Sequence, residues 1–262
     1  MKKLFFYLFL FAFPIAFGQT LNLENKIYNA VDSFTANPNE ESLKRIESFS
    51  KNISTTAKNK NELLALVVLY CNKAYYENQF NKTDKAISSY ETAWKIYQKH
   101  HLKDYDIVEF CLKPLGNLYT IIGDYDNAEN TIKQYYYIAT QHKNQQQQYA
   151  AVLNLSNVYQ NSGRINDAID LLEKTIRNEK LSNTQRGILL NNLGNSYVLS
   201  YRKPTPPTPP IREDFFEKLE SSYLNAIRLL QSDKTQTETL ANCYRNLASL
   251  NSQWQHFDLA NS

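Results

Sequence analysis

A five-residue word recurs along this chain at an almost fixed interval, and it dictates the architecture. It reads Leu115-Gly116-Asn117-Leu118-Tyr119, then Leu155-Ser156-Asn157-Val158-Tyr159, then Leu193-Gly194-Asn195-Ser196-Tyr197. Gly116 and Ser156 are 40 residues apart, and Ser156 and Gly194 are 38 apart. In the first two copies a glycine follows four residues after the tyrosine (Gly123, Gly163), and an alanine comes five residues later (Ala128, Ala168). A looser copy carries Asn72, Tyr75, Ala86, Tyr90 and Ala93, and another carries Leu247, Ala248, Gln255, Phe257 and Ala260. Each residue has a mechanical task. The small residue lets one helix approach the next, and Leu and Tyr three and four positions apart keep a single apolar face. The glycine lets the backbone reverse, and the alanine admits close packing on the returning helix.

A period of this kind means stacked helical hairpins, because one such unit cannot bury its apolar face alone. The expected fold is therefore all-α, a solenoid of antiparallel helix pairs. An N-terminal pair is predicted within residues 19–60, over 24–36 and 40–57, with Asn39 as N-cap ahead of Glu40-Glu41. Hairpins are predicted over 61–100, 104–142, 145–179 and 183–231, with an incomplete one over 235–262. Its second helix would begin near Phe257. A proline-rich insertion, residues 203–210, interrupts the fourth hairpin and favours an extended loop there. As a binding feature it would be a docking ligand or a glycosylated threonine site. As a plain feature it is a rigid loop, the usual place for an insertion in a repeat.

The first 18 residues stand apart. Lys2 and Lys3 precede an unbroken apolar run over residues 4–17, and Ala16-Phe17-Gly18 places small residues where a signal peptidase reads. The run is shorter than the roughly 20 residues that span a bilayer, so the layout is that of a secretory signal cleaved before Gln19. The mature chain is expected to be exported, periplasmic or secreted, with no membrane span after cleavage. Without the two lysines its formal charge falls from +3 to +1, and both signs are interspersed. That balance gives no electrostatic case for nucleic acid.

The small–Tyr–Gly–Ala pattern resembles the tetratricopeptide repeat, whose reference length is about 34 residues. The resemblance implies a right-handed superhelix with the first helix of each pair lining a concave groove. Groove positions then include Lys113 and Asn117, Asn154 and Asn157, Asn191 and Asn195, and Arg245. An asparagine there offers two donors and an acceptor to a peptide backbone, and the expected partner is a protein or peptide segment in the groove. The same asparagines would also serve helix-to-helix hydrogen bonding. Lys113, Asn117 and Asn154 resemble part of a clamp for a partner's terminal carboxylate, but Ile188 and Asn192 stand where its basic residues belong. The phrases LKPLGNLYTIIGDYDNAENTIKQYYYIA, NLSNVYQNSGRINDAIDLLEKTI and NNLGNSYVLSYR, behind such a signal, look like the repeat region of exported bacterial CHAT-domain proteins. These couple the array to a caspase-like peptidase, whose His and Cys motifs are absent from this sequence. That resemblance implies a scaffold cut off from a longer parent. Two other expectations stay open: the periplasmic sensor array of a signalling protein, and an envelope-binding component.

No phosphate loop, nucleophile elbow or HExxH occurs, and no cofactor or metal is expected. His100 and His101 are adjacent and diverge on a helix. With His142 they fall at helix ends, where a histidine meets exposed carbonyls. Cys71, Cys111 and Cys243 leave room for one disulfide and a free thiol, but each lies in an apolar helical pattern as a small core residue. Cys111 near a histidine imitates a catalytic pair without an oxyanion loop. The chain is not expected to be an enzyme.

Overall fold

The computed structural model describes residues 22–103, 105–201 and 213–261, and side chains within 216–252 of the last stretch. The expected signal segment (1–18) and the proline-rich insertion (203–210) lie outside the described residues, as do the side chains of Phe257 and Ala260. Among the described residues every regular element is helical: α1 Leu23–Ala36, α2 Glu40–Ile53, α3 Lys60–Gln79, α4 Thr83–Lys99, α5 Lys113–Ile122, α6 Tyr125–Gln141, α7 Gln145–Asn161, α8 Ile165–Ile176, α9 Asn183–Tyr201, α10 Glu213–Leu230 and α11 Thr237–Asn261. The fold is the all-α helical solenoid that the repeat word requires.

Local chemistry sets the ends of these helices. Asn39 caps α2 by accepting from the Glu41 and Ser42 amides, while Ser42 returns a bond to the Asn39 amide. Asn59 and Glu62 build the same reciprocal box at α3. At the turns the chain enters the left-handed region, at Asn81, Gly123 and Gly163. After α5, the Asp124 amide bonds the Tyr119 carbonyl at 2.9 Å, the six-to-one closure that ends a helix cleanly. His101 and Lys143 take the same backbone shape after α4 and α6, one residue beyond the C-caps His100 and His142. The two histidines thus stand at helix ends as the sequence implies.

Two departures have physical causes. Ahead of α5 lies a π-helical turn, Val108–Leu112, in which the Lys113 amide reaches the Val108 carbonyl. Pro114 has no N–H to bond Phe110 and its ring crowds that carbonyl, so the wider turn accommodates it. The second departure corrects the expected turn before Phe257: α11 runs without a break through Asn261. Gln255 stands seven residues after Ala248, as Gly123 does after Gly116, and a glutamine gains nothing from the left-handed shape that glycine adopts freely. The helix therefore continues.

The first helices of the pairs (α1 and α3, α5 and α7, α7 and α9, α9 and α11) pack directly on one another. The returning helices α4, α6 and α8 behind them are separated by clefts. One of about 740 Å³ lies between α4 and α6 over α5, and one of about 800 Å³ lies between α6 and α8 over α7. A layer that packs tightly beside a layer that gapes must curve with the tight layer inside. The face of α5 and α7 is therefore concave, and α3, α9 and α11 belong to the same layer.

The core is divided. One apolar cluster runs from Ile27 to Val158, and a second from Tyr149 to Leu250. Helix α7 belongs to both: Ala151 and Val158 face the first, Tyr149 and Val152 the second. A small third cluster joins Ala226, Ile227, Leu230 and Cys243.

Candidate partner-binding surface

The tyrosine of the repeat word does more than fill the apolar face. Tyr119 on α5 donates to Glu91 on α4 at 2.5 Å, Tyr159 on α7 to Glu129 on α6 at 3.0 Å, and Tyr197 on α9 to Glu173 on α8 at 2.6 Å. Each bond ties the first helix of one hairpin to the last helix of the hairpin before it. Burial first, and the facing carboxylate second, push all three hydroxyls above the ordinary tyrosine value, Tyr159 to about 12. They remain donors at neutral pH. In the first hairpin the residue four places before the left-handed turn is Glu77, fully buried. It accepts from Ser89 at 2.6 Å, and Lys73 Nζ stands 3.0 Å from its other oxygen, paired in charge though poorly aligned for a hydrogen bond. Reading the tyrosine as purely apolar missed these ties. Glu91 and Glu129, lying 28 and 30 residues before their tyrosines, were the signal.

The seven groove candidates separate into three groups. Asn117 and Asn157 are exposed at the same place on successive helices, and Arg245 is exposed with its guanidinium 2.7 Å from Asn242 on its own helix. Lys113, half-buried, is held by both oxygens of Glu109 at 2.9 and 3.1 Å. The second group is internal. Asn191 is buried and accepts from the Cys243 thiol at 3.2 Å, and Asn195 accepts from the Tyr223 hydroxyl and from Asn246, both at 2.9 Å. These two join α9 to α10 and α11. The third is Asn154, whose Nδ2 is buried without a hydrogen-bond partner.

Large apolar side chains stand open on the same layer: Tyr75 on α3 (52% exposed), Ile121 on α5 (75%), Leu199 on α9 and Tyr244 on α11. Tyr75 occupies the register of Asn117 and Asn157, six residues before the left-handed turn. Ile121 and Leu199 lie one turn beyond Asn117 and Asn195. Sequence analysis did not single out Ile121 and Leu199. Their position four residues after a groove amide, off the core stripe, would have marked them.

Cys71, Cys111 and Cys243 are all buried free thiols. Burial, then its contact with Cys71, raises the Cys111 thiol well above its ordinary value, and the thiol donates to the Tyr90 carbonyl at 3.3 Å. Burial lifts Cys243 to about 11. A thiol kept protonated and covered is no nucleophile at neutral pH. Among the described residues no group of three or more His, Cys, Asp or Glu is placed to hold a metal, and no helix is long and apolar enough to cross a membrane.

No family model and no curated protein matches the chain. Solved structures do, and they define its class as a solenoid of TPR-like repeats. The crystal structure of a Podosopora anserina putative kinesin light chain with nearly identical TPR-like repeats superposes with a TM-score of 0.57 at 15% identity, over 80% of this chain and 96% of that one. BtubC (BKLC) from P. vanneervenii gives 0.56 at 17%, over 79% of each chain. The apo form of RapI gives 0.59 at 14%, over 91% of this chain and 72% of that one. At such identities the likeness is one of fold.

Proposed function

We propose that this chain is a non-catalytic protein-binding scaffold, and that its partner is a peptide segment lying along the concave face of α3, α5, α7, α9 and α11. The observation that carries this is the row of exposed apolar side chains, Tyr75, Ile121, Leu199 and Tyr244, set beside the open amides of Asn117 and Asn157. An apolar side chain with an amide one turn away suits a peptide, which brings a side chain and a backbone to the same place. The TPR-like neighbours support this role. We further propose that the mature chain is exported, starting at Gln19, and serves as the repeat region of a CHAT-like protein. The second reading is the sensor region of a periplasmic signalling protein.

The test is a peptide-display selection on the mature chain. Selected peptides should lose about tenfold or more in affinity for an Asn117→Ala/Ile121→Ser/Asn157→Ala variant of unchanged helix content, the order expected for a hot-spot cluster. Undiminished affinity would remove the concave face from consideration. Terminal sequencing of the processed protein checks export, and an intact Met1 on all of it would end that part of the proposal.

A further inference from the structure

The cleft between α6 and α8 lies on the side away from the concave face, at the seam where α7 passes from one core to the other. Its floor is apolar: Tyr149, Val152, Leu155 and Leu171 line it. Its rim is basic. Lys133 comes from α6, Lys174 from α8 and Lys180 from the connection that follows, and no carboxylate lines the cleft. Of the acidic residues on and just after these helices, exposed Asp170 and Glu179 neighbour Lys174 and Lys180 in sequence but do not line the cleft, and two others are already engaged. Glu129 is paired with Lys133 and Arg164, and Glu173 accepts from Tyr197 with Arg177 beside it. Lys174 and Lys180 are exposed and have no ion-pair partner among the described residues. Gln145 and Gln148 add amide groups along one wall.

The cleft between α4 and α6 is the internal control. It is of similar size, but it holds Glu91 along with Lys95 and Lys133, so it presents both signs. The α6–α8 cleft presents one sign over an apolar floor. About 800 Å³ lies within the roughly 300–1,000 Å³ of ligand pockets, room for a bulky side chain and the backbone on either side of it. Two exposed lysines without ion pairs among the described residues, Lys174 and Lys180, beside an apolar floor favour a ligand that brings carboxylates around an apolar centre.

We propose that this cleft is a second binding site, independent of the concave face, for a peptide segment of a partner protein with acidic residues flanking bulky apolar ones. The probe is a fluorescently labelled peptide, Asp-Glu-Leu-Phe-Glu-Asp, titrated into the mature chain and followed by anisotropy. Saturable binding is expected, weakening as salt rises because the rim charges are screened. Lys174→Glu/Lys180→Glu, with unchanged helix content, should weaken it by about tenfold or more. Asn117→Ala/Asn157→Ala should leave it unchanged. No saturable binding, equal binding by the lysine variant, or equal binding of the basic counterpart Lys-Arg-Leu-Phe-Arg-Lys would overturn the proposal. Loss confined to the asparagine variant would also overturn it, and would assign the peptide to the concave face.

Discussion

From α2 to the start of α8 the helices are joined by charge. Lys82 meets Glu40, Lys85 meets Glu47 at 2.9 Å, Ser89 on α4 donates to the Glu77 carboxylate on α3 at 2.6 Å, and Arg164 reaches back to Glu129 on α6. From α7 onward the joints are mostly neutral. Gln160 reaches across to Ser196 at 2.8 Å, Asn195 collects Tyr223 and Asn246, and Asn191 takes the Cys243 thiol. The backbone design is the same in both halves. Helical repeats therefore fix how near the next hairpin lies and leave the chemistry of the joint to the particular sequence. The two halves should differ in what breaks them.

The largest effect is expected in the first half. Glu77→Ala removes the nearest counter-charge of the almost covered Lys73 ammonium, and breaking such a buried pair costs about 3 kcal/mol or more. Urea unfolding measures it. A loss under about 1 kcal/mol would place Glu77 among ordinary surface pairs.

Next comes a contrast between matching glycines. A Cβ at Gly194 would stand 2.7 Å from the ring of fully buried Tyr223, whose hydroxyl is tied to Asn195. A Cβ at Gly116 would meet one atom of the Ile132 side chain, at 2.8 Å, as its only contact under 3.0 Å. Alanine gains about 1 kcal/mol of helix propensity over glycine at either place, while overpacking costs about 1–3 kcal/mol. Gly116→Ala should therefore be nearly neutral and Gly194→Ala a net loss of about 1–2 kcal/mol. Equal effects in thermal unfolding would show that the tyrosine ring gives as readily as the isoleucine.

The smallest effect separates the halves by pH. Burial alone would raise the Glu129 carboxyl, but hydrogen bonds from Lys133, Arg164 and Tyr159 outweigh it and hold the group down to about 2, from an ordinary 4.5. A lowered carboxylate stabilises the fold fully above its ordinary value and progressively less as pH falls toward the lowered one. Glu129→Gln should thus lower the melting temperature at neutral pH and converge with the native chain as pH drops from 4.5 toward 2. Asn195→Ala should shift it by the same amount at every pH in that range. A parallel pair of curves for Glu129→Gln would overturn the assignment.

These contrasts also mark what was legible in the sequence. The repeat word specified the helical pairs, because small residues, turn glycines and apolar spacing act within a few residues of themselves. The cap at Asn39 was legible for the same reason. The tyrosine ties, the double membership of α7 and the basic cleft were not, because they join side chains 20 to 50 residues apart whose meeting depends on how neighbouring hairpins rotate. Asn191 and Asn195 show the limit well. They carry the same residue type as Asn117 and Asn157, and only the arrival of α10 and α11 encloses them.

The tyrosine–glutamate ties bear on how the array deforms. Each is a single directional bond placed at the joint between hairpins. Such a bond resists pulling the joint apart far more than it resists twisting about its own line. A molecule built this way behaves as a chain of pivots of nearly constant length. A partner seated on the concave face, as proposed, would then tighten or relax its curvature while the distance along it from α5 to α9 stayed nearly the same.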